Sequence, residues 1–215
     1  MCNNMIRLKQ QPLRIALLIS AILGLVMLLY IAPTQAVRPA FSIATLPQLA
    51  VGDWVFRSGT SAESQLIQSL SHSEFSHIGM VVSLQPEPLI AHATTDDDQL
   101  RSNQVLTSTL TEFIAPQLAY SFAIARPGFV TEQENQRAAQ RVLQQLQQPF
   151  VLAERNMEHL YCTTLLADAL VHSTVAFQPE WQQVNAPFFS GEYLFPSAFA
   201  NYPEIEWLYH STDTQ

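Results

Sequence analysis

The sequence predicts an α+β fold in which a small antiparallel sheet packs with helices, preceded by one apolar N-terminal segment. Two strand-like runs joined by a proline-containing turn predict a hairpin, and two Thr-x-x-Glu capping boxes followed by apolar stripes predict helices. Of 215 residues, 48% are hydrophobic and 13% are charged, which excludes a disordered acidic tail and a coiled-coil rod. We therefore expect one globular domain behind the apolar segment.

The N-terminal part predicts a membrane anchor. Residues 15–32 are 18 apolar or small residues without a charge, enough at about 1.5 Å per residue to cross most of a bilayer core of about 30 Å. Because residues 1–14 carry three basic residues and no acid, the positive-inside rule keeps them in the cytoplasm. We expect an uncleaved anchor, a tether over 33–50 and a globular domain over 51–215 outside the cytoplasm. Cleavage after the small residues at 34–36 would make the domain secreted instead.

Charge and cysteine content exclude several classes of protein. Beyond residue 36 there are seven arginines and 18 acids, a formal balance of −11. Such a field repels phosphate backbones, so we expect no nucleic-acid partner. Cys2 and Cys162 are the two cysteines of the sequence, which excludes a disulfide-rich scaffold and a multi-cysteine zinc site.

The first half of the domain predicts a strand, a helix and a hairpin. Residues 51–57 are typical of a turn that leads into a short strand. The capping-box spacing of Thr60 and Glu63 predicts a helix over about residues 61–70, with an apolar face. The runs 76–82 and 89–93 predict the two strands of the hairpin, because the prolines between them cannot join a central ladder.

The second half predicts one more strand and two helices. A strand is expected at 120–125, before a Pro-Gly pair. Thr131 and Glu134 repeat the capping box and start a helix that ends before Pro149. A last helix is predicted over about 159–173. The remaining C-terminal part is rich in proline and aromatic residues, and we expect irregular structure that wraps the core.

Cys162 is the single cysteine of the exported part, and it sets the functional question. By base rate a free cysteine is buried and inert. A position near the start of a helix favours a thiolate, however, because unpaired N–H groups and the helix dipole stabilise negative charge. His77 and His92 lie in the two hairpin strands, where each is either a hydrogen-bonded core histidine or a partner of the thiol. The three residues supply the nucleophile, base and orienter of a thiol hydrolase.

The segments that carry these residues resemble a known family. In chain order they are Gly-Asp-Trp-Val-Phe-Arg, Ser-Glu-Phe-Ser-His77-Ile-Gly-Met-Val-Val, Ile-Ala-His92-Ala and Leu-Tyr-Cys162-Thr-Thr-Leu-Leu. The order is similar to that of the circularly permuted papain-like hydrolases of the NlpC superfamily, which include YiiX-like proteins and the lecithin:retinol acyltransferase group. Over roughly residues 50–200 the resemblance implies a permuted papain-like fold with the cysteine helix packed on the sheet. It also implies Cys162 as nucleophile, His77 as general base and His92 as the residue that orients the imidazole.

The cysteine helix departs from the family pattern. Thr163 and Thr164 follow the cysteine, where YiiX-like relatives commonly have Ser-Glu, so any role of that glutamate is missing. Tyr161, which precedes the cysteine, is a candidate oxyanion or cleft residue.

The identity of the orienting residue has an alternative. A two-residue turn centred on Pro86 and Glu87 would place Asp96, rather than His92, opposite His77. Residues 96–98 are three consecutive aspartates, for which a solvated loop is favoured over a calcium site. No histidine pair has the spacing of a zinc helix, so we expect no metal and no cofactor.

Three functions follow as hypotheses. The first is an exported, membrane-tethered thiol hydrolase, of the amidase, peptidase or acyl-ester type, or an acyltransferase. The second is a catalytically silent module that binds cell-wall peptide or lipid acyl groups in the same cleft. The third is a structural protein whose cysteine and histidines lie well apart in the core. The exported location makes cell-wall peptides and acyl lipids the expected substrates.

Overall fold

A computed structural model describes residues 46–174, 176–186 and 189–212 of the chain. Its strands are β1 (Trp54–Gly59), β2 (His77–Ser83), β3 (Leu89–Thr94), β4 (Gln104–Thr109), β5 (Ala119–Pro127), β6 (Gln182–Ala186), β7 (Phe189–Tyr193) and β8 (Ile205–His210). Six of them form one sheet in the order β4-β3-β2-β1-β5-β8, and every neighbouring pair is antiparallel. β6 and β7 form a separate hairpin.

The helices are α1 (Ala62–Ser71), α2 (Leu110–Phe113), α3 (Glu132–Gln144), α4 (Cys162–Val171) and α5 (Pro196–Ala200). α3 begins at the predicted capping box, in which Thr131 and Glu134 each bond the other's backbone. α1 begins one residue later than predicted, because Ser61 rather than Thr60 accepts the hydrogen bond of the Ser64 N–H.

The two faces of the sheet bury different residues because side chains alternate along each strand. Trp54 and Phe56 of β1 pack with α3 and α4 in the larger core, where both are fully buried. Val55 points to the other face and packs with Phe113 of α2. Burial on both faces makes the centre of the sheet a rigid support for polar groups at its end.

The mixed α+β class and the antiparallel sheet confirm the predicted fold class. The predicted hairpin is β2 and β3, and the strand expected at 120–125 lies within β5. The expectation of irregular structure in the C-terminal part is wrong, since that part forms β6, β7, α5 and β8, and β8 pairs with β5 at the edge of the sheet. The predicted anchor over 15–32 lies outside the described residues. Within the described ranges no helix is both long and apolar enough to span a bilayer.

Candidate active site

Cys162 is the first residue of α4, and its neighbours fix the start of that helix. The Tyr161 N–H donates to the Thr164 hydroxyl at 2.9 Å. The Thr163 hydroxyl donates to the Leu194 carbonyl at 2.8 Å. Both threonines are fully buried. Thr163 and Thr164 therefore serve as internal hydrogen-bonding groups that hold the cysteine in place.

Tyr161 is tied to the segment after β7. Its hydroxyl accepts a hydrogen bond from the Leu194 N–H at 3.0 Å. Together with Thr163 it thus engages both backbone groups of Leu194. Burial raises the pKa of the Tyr161 hydroxyl, so the group stays protonated. Tyr161 forms part of the cavity wall beside Cys162.

His77 and His92 are joined directly. The Nε2 atom of His77 lies 2.9 Å from Nδ1 of His92. The opposite ring nitrogen of His92, Nε2, lies 3.0 Å from the Ser108 hydroxyl oxygen. His92 is fully buried, whereas His77 borders the cavity. His92 is therefore the inner member of the pair and His77 the outer one.

Asp96 does not lie opposite His77. The strand pairing runs from Met80 opposite Ala91, and an irregularity near Ser83 shifts the register of the turn. Continued along both strands, this register sets Thr94, not Asp96, across from His77. Asp96 is exposed and accepts a hydrogen bond from the neighbouring Thr95 hydroxyl. The register that assigned Asp96 as the alternative orienter is therefore wrong, although Asp96 does line the cavity.

Asp97 and Arg57 form a buried ion pair that the sequence reasoning missed. Asp97 Oδ1 accepts a hydrogen bond from Arg57 Nη2 at 2.6 Å, and the two side chains are 6% and 7% exposed. The other carboxylate oxygen, Oδ2, has no hydrogen-bond partner among the described residues and lies 3.8 Å from Nδ1 of His92. One signal was present in the sequence. Arg57 lies in an apolar strand, where its guanidinium needs a buried acceptor, and the three aspartates at 96–98 could supply one.

Phe113 of α2 covers the two imidazoles. Its ring stacks on His77 with centroids 5.5 Å apart and meets the edge of His92 at 4.9 Å. The Arg57 guanidinium lies 4.8 Å from the same ring, and it donates to the Phe113 carbonyl at 3.0 Å. Gly79 permits this packing, because a Cβ there would lie 2.5 Å from Ile90 Cγ2 and 3.2 Å from the Phe113 ring.

Burial keeps the histidines neutral. It lowers the pKa of His77 well below its ordinary value of 6.5, and Arg57 adds to that effect. Burial likewise lowers the pKa of His92 to about 3, against the opposing charge of Asp97. Burial alone would raise the pKa of Asp97, but the hydrogen bond and charge of Arg57 hold it below the usual range. The site at neutral pH therefore contains two neutral imidazoles beside one carboxylate–guanidinium pair.

Burial also opposes the expected thiolate. It raises the pKa of the Cys162 thiol to about 11, although the N–H groups of Ile78 and Thr163 near the sulfur act to lower it. Helix position was expected to favour ionisation, but desolvation outweighs it here. The thiol is therefore protonated in the resting site.

The cavity above these residues has a volume of about 300 Å³. Its wall includes four of the five residues singled out by the sequence, namely Cys162, His77, Asp96 and Tyr161. The fifth, His92, lies behind His77. The structure thus brings thiol and imidazole to one cavity, with the second imidazole and the ion pair in support.

One group of side chains in the described part has the composition of a metal site. Donor atoms of His77, His92 and Asp97 all lie within 4.8 Å of one another. Two imidazoles and a carboxylate are a common ligand set for zinc in proteins. The orphaned Asp97 Oδ2 is an acceptor that such an ion would satisfy.

The chain is similar to a known protein family and to a solved structure. Residues 48–202 match the family described as permuted papain-like amidase enzymes, YaeF/YiiX, C92 family. A similar solved structure is described as that of the metalloprotein YiiX from Escherichia coli O157:H7. It has a TM-score of 0.63 and 19% sequence identity, and the match covers 76% of this chain and 98% of that one. No curated protein matches the chain.

Proposed function

Because the chain belongs to the permuted papain-like amidases of the YaeF/YiiX family, C92, we propose that it is a thiol hydrolase in which Cys162 attacks an amide or ester carbonyl. The family makes it a hydrolase of the amidase type. One observation supports the assignment of the residues. Cys162 and His77 line the same cavity, and Nε2 of His77 forms a hydrogen bond with His92.

The hydrogen-bond chain favours one protonation pattern for the base. For His77 to accept a proton at Nδ1, its Nε2 must carry a hydrogen and donate it to Nδ1 of His92. His92 then carries its own hydrogen on Nε2 and donates it to Ser108. This pattern satisfies both contacts and leaves Nδ1 of His77 as a base; that atom makes none of the hydrogen bonds found among the described residues.

The raised thiol pKa favours proton transfer during attack over a preformed ion pair. As the Cys162 sulfur bonds to the carbonyl carbon, its proton passes to Nδ1 of His77. The imidazolium so formed is stabilised by His92 and by the nearby Asp97 carboxylate. When the tetrahedral intermediate collapses, the bond to the leaving amine or alcohol breaks and His77 returns the proton to it. Water then repeats these steps on the thioester and releases the acid.

A metal is a second possibility for the same residues. The related YiiX structure is described as a metalloprotein, and His77, His92 and Asp97 would hold the ion in this chain. A bound divalent ion supplies a Lewis acid for a carbonyl or a water. It would also occupy His77, so metal binding and the role of His77 as base exclude each other.

A catalytically silent binding module is the competing proposal, and the neutral thiol favours it. The third hypothesis was a structural protein in which the cysteine and the two histidines lie far apart. It fails for the histidines, because their rings are joined by a hydrogen bond. The deciding experiment is hydrolysis of a panel of acyl esters, acyl amides and muropeptides by the full chain. Loss of turnover in Cys162→Ser would support the hydrolase, and turnover that survives this change would refute it.

We also propose that residues 15–32 tether the domain on the periplasmic side of a bacterial inner membrane. The charge-free apolar run behind basic residues supports this topology. A reporter that is active only in the cytoplasm, fused after Gln215, should then be silent, and an active fusion would refute the tether.

A further inference from the structure

A second cavity lies beside the catalytic one. It has a volume of about 520 Å³, which falls within the range of small-molecule sites. Its walls are formed by the end of α1, by residues of the segment 178–183 at the start of β6, and by α5 with the turn that follows it. Phe195 lines both cavities, so the two are neighbours.

Most of the wall of the second cavity is polar and uncharged. Eight of its twelve described lining residues carry a polar side chain, and Glu180 is the one charged residue among them. An anionic ligand such as a phosphate would therefore meet a carboxylate and no cation. A hydrocarbon chain would displace water from the polar groups without replacing their hydrogen bonds.

Several polar groups of this wall are available to a ligand. The side chains of Gln178, Glu180, Ser197 and Asn201 form no hydrogen bond with any part of the chain that the structure describes. Two primary amides, a hydroxyl and a carboxylate thus converge on one concave surface. Together they offer both donors and acceptors.

Other side chains hold the wall in a fixed shape. The Tyr202 hydroxyl donates to the Ala176 carbonyl at 2.6 Å and accepts a hydrogen bond from the Gln178 N–H at 3.0 Å. The Gln182 amide donates to the Leu70 carbonyl at 2.9 Å and so ties the start of β6 to α1. A wall that is already ordered loses less conformational entropy when a ligand binds.

Trp181 supplies an aromatic surface in the same cavity. Its ring is half-buried and is held by two neighbours, the Arg155 guanidinium at 5.2 Å and the His159 ring at 5.5 Å from its centroid. Its indole N–H is a further donor without a hydrogen-bond partner among the described residues. The face of an aromatic ring is negative, and it attracts the weakly positive C–H groups of a ligand.

From these groups we propose that the second cavity binds a neutral sugar of one or two rings. A sugar hydroxyl is both donor and acceptor, and so is a primary amide, so Gln178 and Asn201 each match a pair of neighbouring hydroxyls. The Glu180 carboxylate accepts from further hydroxyls in charge-assisted hydrogen bonds. The C–H groups of the sugar ring pack on Trp181. The site goes beyond the proposed function and does not depend on it.

A short peptide is the competing occupant, because primary amides also bond peptide groups. A sugar fits better for two reasons. The Glu180 carboxylate only accepts hydrogen bonds, and a sugar ring carries more donors than a peptide unit of the same size. The carboxyl terminus of a free peptide would also be repelled by Glu180.

The test measures binding, so hydrolysis by Cys162 does not enter it. The full chain, whose three tryptophans are replaced by 5-fluorotryptophan, is reconstituted in lipid nanodiscs without detergents that carry sugar head groups. Fluorine NMR spectra are recorded during titration with cellobiose, N,N′-diacetylchitobiose and the neutral peptide N-acetyl-trialanine amide. The resonance of Trp181 is identified by its absence in Trp181→Phe.

We expect at least one of the two disaccharides to shift the Trp181 resonance in a saturable way, with a dissociation constant in the millimolar range. Binding is weak because each hydrogen bond to the sugar replaces one to water. The resonance of Trp207, which lies on β8 and does not line the cavity, should stay in place.

A pair of variants tests the polar groups. Gln178→Ala/Asn201→Ala should raise the dissociation constant about fivefold or more, because it removes both free amides. The matched control is Gln133→Ala/Gln140→Ala, which removes two exposed amides of α3 outside the cavity and should leave the constant unchanged. All four residues are exposed, and thermal unfolding confirms that both variants are folded.

Three results would overturn the proposal. The first is the lack of a saturable Trp181 shift with both disaccharides. The second is an equal loss of affinity in the two double variants. The third is tighter binding of the neutral peptide than of either disaccharide, which would assign the cavity to a peptide.

Discussion

Nε2 of His77 lies 2.9 Å from Nδ1 of His92, so the two imidazoles share one hydrogen bond and must hold complementary tautomers. A change at the inner ring therefore alters the protonation of the outer one. His77 borders the cavity, whereas His92 is not among its described lining residues, so in the proposed mechanism His77 meets the substrate and His92 sets its tautomer.

Cys162→Ser and His77→Ala should each reduce kcat by several powers of ten. In the proposed mechanism the serine lacks the nucleophilic sulfur, and the alanine lacks the base that accepts its proton. Because nucleophile and base act as one unit, the double variant should be scarcely worse than either single variant. Steady-state kinetics with an acyl ester compares kcat of the parent, the two single variants and the double variant. Strictly additive losses would mean that the two residues act independently and would favour the binding-module alternative.

His92→Ala should reduce kcat by less than His77→Ala, because in the proposed mechanism His92 orients the base and does not meet the substrate. Loss of its contact leaves Nε2 of His77 without its partner, so the acidic limb of the pH–rate profile should also move. Asp96→Asn is the control. Its exposed carboxylate forms no hydrogen bond with either ring in the described structure, and kcat should stay within about twofold of the parent. A larger loss at Asp96 than at His92 would reverse the assignment.

Alkylation of Cys162 by iodoacetamide should be slow at pH 6 and rise with pH to beyond pH 9. The thiolate is the reactive form, and burial raises the pKa of this thiol to about 11. The rate is followed by mass spectrometry of the labelled peptide, with glutathione as the reference thiol. Rapid labelling at pH 6 would show a resting thiolate and would restore the expectation based on the helix start.

Asp97→Asn should destabilise the fold by about 3–5 kcal/mol, because it leaves the Arg57 guanidinium buried without its counter-charge. Asp98→Asn supplies a matched control one residue away. Asp98 pairs with Arg101 near the surface, where solvent screens the interaction, so its loss should scarcely change stability. Urea unfolding monitored by tryptophan fluorescence compares the two. Equal effects would mean that the buried pair carries no special stability.

The free energy of unfolding should fall as the pH drops from about 6.5 towards 4. Burial lowers the pKa of both His77 and His92. Below pH 6.5 the unfolded chain therefore takes up protons that the folded chain does not. Each histidine contributes a slope of up to about 1.4 kcal/mol per pH unit in that window. His92→Gln should remove one such contribution, and a flat parent profile between pH 7 and pH 5 would contradict the buried neutral pair.

The parts of the fold that the sequence predicted are those with local signals. The capping box of Thr131 and Glu134, the hairpin prolines and the apolar runs of β2 and β3 each identify an element within a few neighbouring residues. β6, with the sequence QQVNA, has two apolar residues, which is too short a pattern to identify a strand, and it pairs with β7 outside the main sheet. Its formation depends on tertiary contacts that no short window contains.

The sequence predicted some residues of the site and missed others. Cys162, His77 and His92 are unusual residue types for their positions, and in the structure Cys162 and His77 line one cavity while His92 contacts His77. The ion pair of Arg57 with Asp97 joins residues 40 positions apart through a loop whose path is not encoded locally. The position of Cys162 at a helix start predicted a lowered thiol pKa. Burial has the larger effect and raises that pKa, and burial depends on the whole fold.

Gly79 is needed for the packing around the two imidazoles. Its missing side chain is what lets Phe113 and Ile90 approach the strand that carries His77, and this requirement is steric and does not involve the reaction. Replacement of the nucleophile would leave that packing intact, whereas a Cβ at 79 would lie 2.5 Å from Ile90 Cγ2 and 3.2 Å from the Phe113 ring, so both side chains would have to shift. The steric demand at position 79 is therefore independent of whether Cys162 acts as a nucleophile.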